Sequence, residues 1–394
     1  MPLDPTFFDE MIDRRGTDCS KWDAMEAIYG VPTADGIAMW VADMDFRSPE
    51  GVNRAVAEMA EHGLYGYGYD DAGYRESIRW WMETRHGWSP DPAHIFTTHG
   101  LVNGTALCVD AFTAPGDGIV LFTPVYHAFF RVIRAAGREV TECEMVEVNG
   151  RHTLDFDAYD AAMTGREKMV ILCSPHNPGG RVWTRDELEG VAAFARRHDL
   201  IIVSDEIHED LVYPGATHLP FALVDGVADR LVMLTAASKT FNIAGSHVGN
   251  VTIEDDALRA RFAARMAGLG MSPNTFGPRM VQAAYSPEGA EWVDALVAYL
   301  DENRRLFDAG IAAIPGLRSV ALESTYLAWV DFAGTGMEAD EFTRRVSTEA
   351  RIAANKGTTF GKGGDSFLRF NFATPRPRVL EALTRLADAF GDLQ

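Results

Sequence analysis

Residues 169–206 read MVILCSPHNPGGRVWTRDELEGVAAFARRHDLIIVSDE, and their hydrophobic period changes twice. Residues 169–173 are a continuous apolar run of strand length, closed by Ser174-Pro175. Thr184-Arg185-Asp186-Glu187 is a capping box, and Leu188, Val191, Ala192 and Ala195 then recur on one helix face. Residues 200–203 form a second apolar run. A strand, a crossover helix and a strand in this order predict a parallel pair. Working outward, apolar runs at 95–98, 119–122 and 231–235 follow the same grammar. Apolar strands separated by helices predict an α/β fold, a mostly parallel sheet with helices on both faces.

Beyond residue 285 the pattern changes. Ser286-Pro287-Glu288-Gly289 reads as a break, followed by a long helical segment over 291–314 and strand-like runs at 326–330 and 367–372. These predict a smaller α+β domain over 286–394. An N-terminal segment, 1–50, is expected to join it, leaving 51–285 as the large domain.

The chain has 394 residues, with 36 Lys+Arg against 57 Asp+Glu and a net charge of −21. Such a charge repels phosphate backbones and anionic lipid, so neither nucleic acid nor a membrane surface is expected as a partner. Cys19, Cys108, Cys143 and Cys173 are scattered without CxxC pairing, as in reduced cytosolic proteins. Asp4, Asp9, Glu10 and Asp13 interrupt the N-terminus, which does not read as a signal peptide, and no run reaches the ~18 apolar residues of a membrane helix. A cytoplasmic location is the expectation.

Ligands of open parallel sheets bind beyond the carboxyl ends of the strands. There the sequence places His99-Gly100-Leu101-Val102-Asn103-Gly104, then Tyr126, then Ser174-Pro175-His176-Asn177-Pro178-Gly179-Gly180, then Asp205-Glu206-Ile207-His208, then Ser238-Lys239-Thr240. Singly, each has an ordinary structural reading: a surface lysine, a capping aspartate, a core tyrosine, a turn asparagine. Together they offer amides for a phosphate, a ring for stacking, a donor for a phenolic oxygen, a carboxylate for a ring nitrogen and an amine for an aldehyde. Pyridoxal 5′-phosphate needs all five.

The segments Ser174 to Gly180, Ser204-Asp205-Glu206-Ile207-His208, Ser238-Lys239-Thr240-Phe241-Asn242-Ile243-Ala244-Gly245 and Leu368-Arg369-Phe370-Asn371-Phe372-Ala373 resemble fold-type I pyridoxal-phosphate enzymes, the aspartate aminotransferase superfamily. Lys21-Trp22-Asp23, the run from Met39 to Phe46 and Tyr65-Gly66-Tyr67 resemble, within it, the MalY/PatB-type cystathionine β-lyases. The resemblance implies Lys239 as the Schiff-base lysine, Asp205 as partner of the ring nitrogen and Tyr126 as the stacking ring. Asn177 and His208 would flank the phenolic oxygen, where many relatives carry a tyrosine at the position of His208. Arg369 would grip the substrate α-carboxylate. Tyr67 would reach the cofactor of a neighbouring subunit, implying a homodimer with shared sites. Two departures stand out: His247 occupies the place of a phosphate-binding arginine that the lyase branch also tends to lack, and Ala236 replaces a phosphate-binding hydroxyl. Phosphate binding then leans on Gly100, Leu101 and Ser238.

The expected activity is therefore a carbon–sulfur β-lyase, eliminating a thiol from an L-amino acid to leave pyruvate and ammonia. An aminotransferase using the same carbanion is the alternative, and a cofactor-bearing protein that binds a regulator is a third. Gly361-Lys362-Gly363-Gly364 lacks P-loop spacing and reads as a turn near the site. Cys173, His176, His208 and His247 have no metal-ligand spacing, and no metal is expected. Trp80-Trp81 reads as packing. Which thiol leaves is not written in the sequence.

Overall fold

The computed structural model describes residues 6–68 and 71–393. Asp4, part of the N-terminal reading above, lies outside them. Strands β1 (Ile95–Thr98), β2 (Gly118–Thr123), β3 (Glu139–Glu144), β4 (Glu167–Cys173), β5 (Ile201–Asp205), β6 (Leu231–Thr235) and β7 (Gly249–Ile253) form one seven-stranded sheet in the order β1-β7-β6-β5-β4-β2-β3. All neighbours from β6 to β3 pair in parallel, and β7 alone runs against both its neighbours. Alternation along the strands divides the core in two. Val120, Phe122, Val170, Leu172, Ile202 and Met233 join one cluster, while Ile119, Leu121, Met169, Ile171, Val203 and Val232 join the other. Both faces are thus covered, which is why the strands read as unbroken apolar runs.

The helices include α1 (Ala72–His86), α2 (Leu101–Phe112), α3 (Arg185–Arg197) and α4 (Pro287–Ala312). The capping box of α3 forms as the sequence predicts, with Thr184 accepting from the Glu187 N–H and the Glu187 carboxylate accepting from the Thr184 N–H at 2.8 Å. At α4 the structure corrects the sequence reading. Ser286-Pro287-Glu288-Gly289 is the helix's own beginning, with Ser286 as N-cap accepting from the Gly289 N–H and Pro287 in the first turn. A serine followed by proline starts a helix as readily as it ends one.

Two strands escape the apolar-run reading. β3 is an edge strand of sequence EVTECE with little to bury, and β7 opens with Gly249-Asn250 before its apolar residues. In the C-terminal part an antiparallel four-stranded sheet holds Leu327–Asp331 beside Phe367–Asn371. Ile37 pairs in parallel with Ile352, and Met39 N–H donates to Ala353, fastening the N-terminal segment to this region. Among the described residues no helix is long and apolar enough to cross a membrane, and all four cysteines are free thiols.

The chain passes from β2 outward to β3, then returns to lay β4, β5 and β6 on the other side of β2. The loops after β2 and β4 therefore diverge, and a crevice opens between them. Tyr126 stands on the first loop and Asn177 on the second.

Candidate active site

Asp205 is the last residue of β5, 5% exposed, with one carboxylate oxygen accepting from the Ile207 N–H at 3.2 Å. Burial pushes its carboxyl up to about 7, although the Lys239 charge and the Ile207 N–H oppose the shift. Lys239 lies in the single helical turn Ala237–Thr240 that follows β6. Its Nζ donates to the Ala42 carbonyl at 2.6 Å. Burial lowers its ammonium to about 8, helped by the Arg369 charge and resisted by Asp43 and Asp205. Two neighbouring strand ends thus present an acid and an amine, each shifted toward its neutral form.

Arg369 enters from the C-terminal sheet and is 2% exposed. Nη1 donates to Asn177 Oδ1 at 3.0 Å, Nη2 to Asn355 Oδ1 at 2.6 Å and to the Trp40 carbonyl at 2.8 Å, and the guanidinium lies 5.1 Å from the Phe360 ring centroid. Nε has no partner. Among the described residues no carboxylate lies within 4.0 Å of Arg369, whereas other buried cations such as Lys21 and Arg181 are paired. Burial lowers its pKa to about 10. A buried guanidinium held only by neutral groups is ready for an incoming carboxylate.

His208 is buried and kept neutral, its pKa held down at about 3 by burial and the charges of Lys239 and Arg369; its Nδ1 is unpartnered. Tyr126 lies within electrostatic reach of both Arg369 and Asp205, and burial raises its hydroxyl pKa. At the neighbouring corner Gly100, at φ 82°, turns the chain into α2, whose first N–H groups have no partner within the helix. A side chain at Gly249 would strike the Gly100 carbonyl carbon and the Leu101 nitrogen, so the start of β7 packs directly on that turn. Ser238 Oγ donates to the Val248 carbonyl at 3.4 Å. Gly100, Leu101 and Ser238 are therefore gathered around the start of β7; His247, at φ 49° and exposed, adjoins them in sequence. Tyr67 is not gathered with the others: it is fully exposed on its own chain.

The run from Met39 to Phe46 forms a wall against Lys239, and it does so through its backbone. The Ala42 carbonyl accepts from Lys239 and from the Tyr326 hydroxyl at 3.1 Å; Asn371 Nδ2 donates to the Val41 carbonyl at 2.7 Å and to the Asp43 carbonyl at 2.5 Å; Asn242 holds both Met44 and Phe46. Lys21 and Trp22 reach the same segment, both donating to the buried Asp45 carboxylate at 3.0 Å. Asp23 accepts the N–H groups of Gly16, Thr17 and Cys19 ahead of its helix. Tyr326, Asp43 and Asn355 are site residues that sequence reasoning misses. Tyr326 passes as the first residue of an apolar strand, and Asp43 lies unassigned inside a quoted motif.

Pyridoxal 5′-phosphate fits these residues. The unpartnered His208 Nδ1 and Arg369 Nε are buried polar atoms with capacity left for a ligand, and the glycine turn into α2 offers amides to an anion.

The sequence model of the aminotransferase class I and II family matches residues 41–386. Cystathionine β-lyase PatB of Bacillus subtilis is 36% identical over 97% of this chain and 99% of its own length. Protein MalY of Escherichia coli is 30% identical, over 97% and 98%. Cystalysin from Treponema denticola, a structure that contains pyridoxal 5′-phosphate, superposes with a TM-score of 0.93 at 34% identity, covering 98% of this chain and 99% of that one. The chain belongs to the aminotransferase class I and II family, with the pyridoxal-phosphate fold-type I architecture, and to the branch that holds PatB and MalY.

Proposed function

We propose that the protein is a pyridoxal-phosphate-dependent carbon–sulfur β-lyase of the cystathionine β-lyase type, releasing a thiol, pyruvate and ammonia from an L-amino acid. One observation carries the reading: the Met39-to-Phe46 run, where the lyase resemblance is concentrated, touches Lys239, Arg369 and Tyr326 directly. The feature that marks the branch is therefore part of the reaction chamber.

Gly100, Leu101 and Ser238, with His247 beside them in the chain, would hold the cofactor phosphate. Asp205 would pair with the ring nitrogen, Tyr126 would stack on the ring, and Asn177 and His208 would meet the phenolic oxygen. Lys239 would hold the cofactor at rest, and the cofactor would supply an electron sink that acidifies the substrate Cα–H. Arg369 seizes the α-carboxylate and so sets the direction of the Cα–H bond. Lys239 Nζ, freed when the substrate amine takes its place, would take the Cα proton as general base. The burial that lowers its pKa to about 8 favours the neutral amine that this step needs. Tyr67, exposed on its own chain, completes the site of a second copy in a cytoplasmic homodimer.

The test is to supply the holoenzyme with L-cystathionine and no 2-oxo acid. Pyruvate, ammonia and thiol in equal amounts are expected, and Lys239→Ala should abolish turnover while retaining some cofactor. Amino transfer that requires an acceptor and releases no ammonia would replace this reading with an aminotransferase. Near-normal turnover by Lys239→Ala would defeat both.

A further inference from the structure

Behind the Asp205 strand end lies a buried group of five ionisable side chains that the chemistry above does not use. His86 Nε2 lies 2.9 Å from Asp210 Oδ1, and His218 Nε2 lies 2.8 Å from Glu206 Oε2. Asp210 also accepts from Trp81 Nε1 and Thr240 Oγ1, and Glu206 from Ser204 Oγ and the Phe221 N–H. Between the two pairs stands Glu209. It is 1% exposed, and neither carboxylate oxygen has a hydrogen-bond partner. Ligating atoms of His86, Glu209 and Asp210 lie within 4.8 Å of one another, as do those of Glu206, Glu209 and His218. Glu209 is the member common to both sets.

An interior carboxylate with all its lone pairs unengaged needs a positive partner or a proton. No Lys or Arg is paired with it among the described residues, and its neighbours Glu206, Asp210 and Asp205 are acids. We propose that His86, Glu209 and Asp210 form a buried binding site for a divalent transition metal of the zinc class, with the Glu206–His218 pair backing Glu209. The donor set selects the ion. An imidazole nitrogen with carboxylates suits zinc and its neighbours, whereas magnesium and calcium take oxygen cages. Closing the three ligands onto one ion requires ligand atoms about 3.4 Å apart, so the His86–Asp210 pair, now 2.9 Å apart, opens slightly while Glu209, which nothing else holds, closes in.

The position gives the site a bracing role. His86 ends α1, Glu209 and Asp210 follow β5, and Asp210 accepts from Thr240, next to Lys239. A bound ion ties these pieces together. The His86 side chain, 7% exposed, stands in the last turn of α1 beside exposed Gly87, so an ion would enter from that side. The sequence shows no ligand spacing here because His86 stands at a helix end 124 residues before Asp210. Metal binding at this place is independent of which reaction the enzyme performs.

Tag-free holoenzyme, desalted from excess cofactor and stripped with dipicolinate, would be dialysed against zinc chloride and its metal content measured. About one retained Zn²⁺ per wild-type chain is expected, with Glu209→Gln and His86→Gln losing more than the roughly 10–100-fold in affinity that outer-shell changes cost. Variants that hold as much zinc as the wild type, or a wild type that holds none, overturn the proposal. Cobalt chloride titrated into the wild type alone gives a second, separate measurement should a variant fail to fold. Visible d–d bands of a low-coordinate nitrogen–oxygen site support it, and a spectrum of hexaaqua cobalt only refutes it.

Discussion

Asp205 closes β5 with a carboxyl group whose burial favours its protonated form, a bias that a cationic ring nitrogen would reverse. Its pKa is raised from 3.8 to about 7, so the folded apoenzyme binds that proton more tightly than the unfolded chain does. Stability from this group is full below pH ~4, falls as pH rises toward 7, and is level above it, a loss on the order of 4 kcal/mol. Asp205→Asn keeps an acceptor for the Ile207 N–H and removes the titration. Apo Asp205→Asn should therefore melt above the wild type at pH 8, with the gap closing near pH 4, while its cofactor-induced rise in Tm is the smaller. Equal melting of the two at both pH values would show that Asp205 is solvated. Arg369 differs, since its partner is the substrate. Arg369→Lys, which cannot reproduce the two-pronged grip, should lower kcat/KM by roughly 30-fold or more, largely through KM, in steady-state assays. Lys239, Asp205 and Asn177 can be placed together from the sequence because each follows an apolar strand run, whereas Arg369 is reached only through the resemblance of its motif. Tyr326 and Asn355 are not legible there, because a tyrosine beginning an apolar strand carries the same letters whether it packs or points into a cleft.

Elements whose boundaries are set by local chemistry are the easiest to read from sequence. The α3 capping box is visible in four letters, and Glu187 also pairs with the buried Arg181 at 2.7 Å. Thr184→Ala should lower stability by about 1 kcal/mol, read as a shift in the urea midpoint at constant slope; an unchanged midpoint would mean that Glu187 alone holds the helix end. Central strands are legible because burial on both faces leaves only apolar choices. β3 escapes because only Cys143 of its six residues is buried, and β7 because its first residues serve close approach to Gly100 rather than the core. Ser286-Pro287 misleads because its letters fit a stop and a start equally.

For the whole molecule, Tyr67 is the residue that one chain cannot explain. A fully exposed tyrosine beside exposed Leu64 and Tyr65 fits a face covered by a second copy. If sites are shared, Lys239→Ala and Tyr67→Ala chains refolded together should regain activity. Half of the dimers would be mixed, each with one intact site, so the mixture should reach about a quarter of wild-type turnover. No recovery on mixing would place each site within one chain.

The reversed strand carries one more consequence. β6 delivers Lys239 at its end and β7 takes the chain away from its beginning, so both ends of the intervening loop are anchored at one edge of the sheet by strand register. That loop is a stitch of fixed length between the amine and the phosphate corner. Adding or deleting a single residue there would shift one anchor against the other. Chains built on this plan have room to vary in length at the opposite edge of the sheet, where no ligand-holding residue stands.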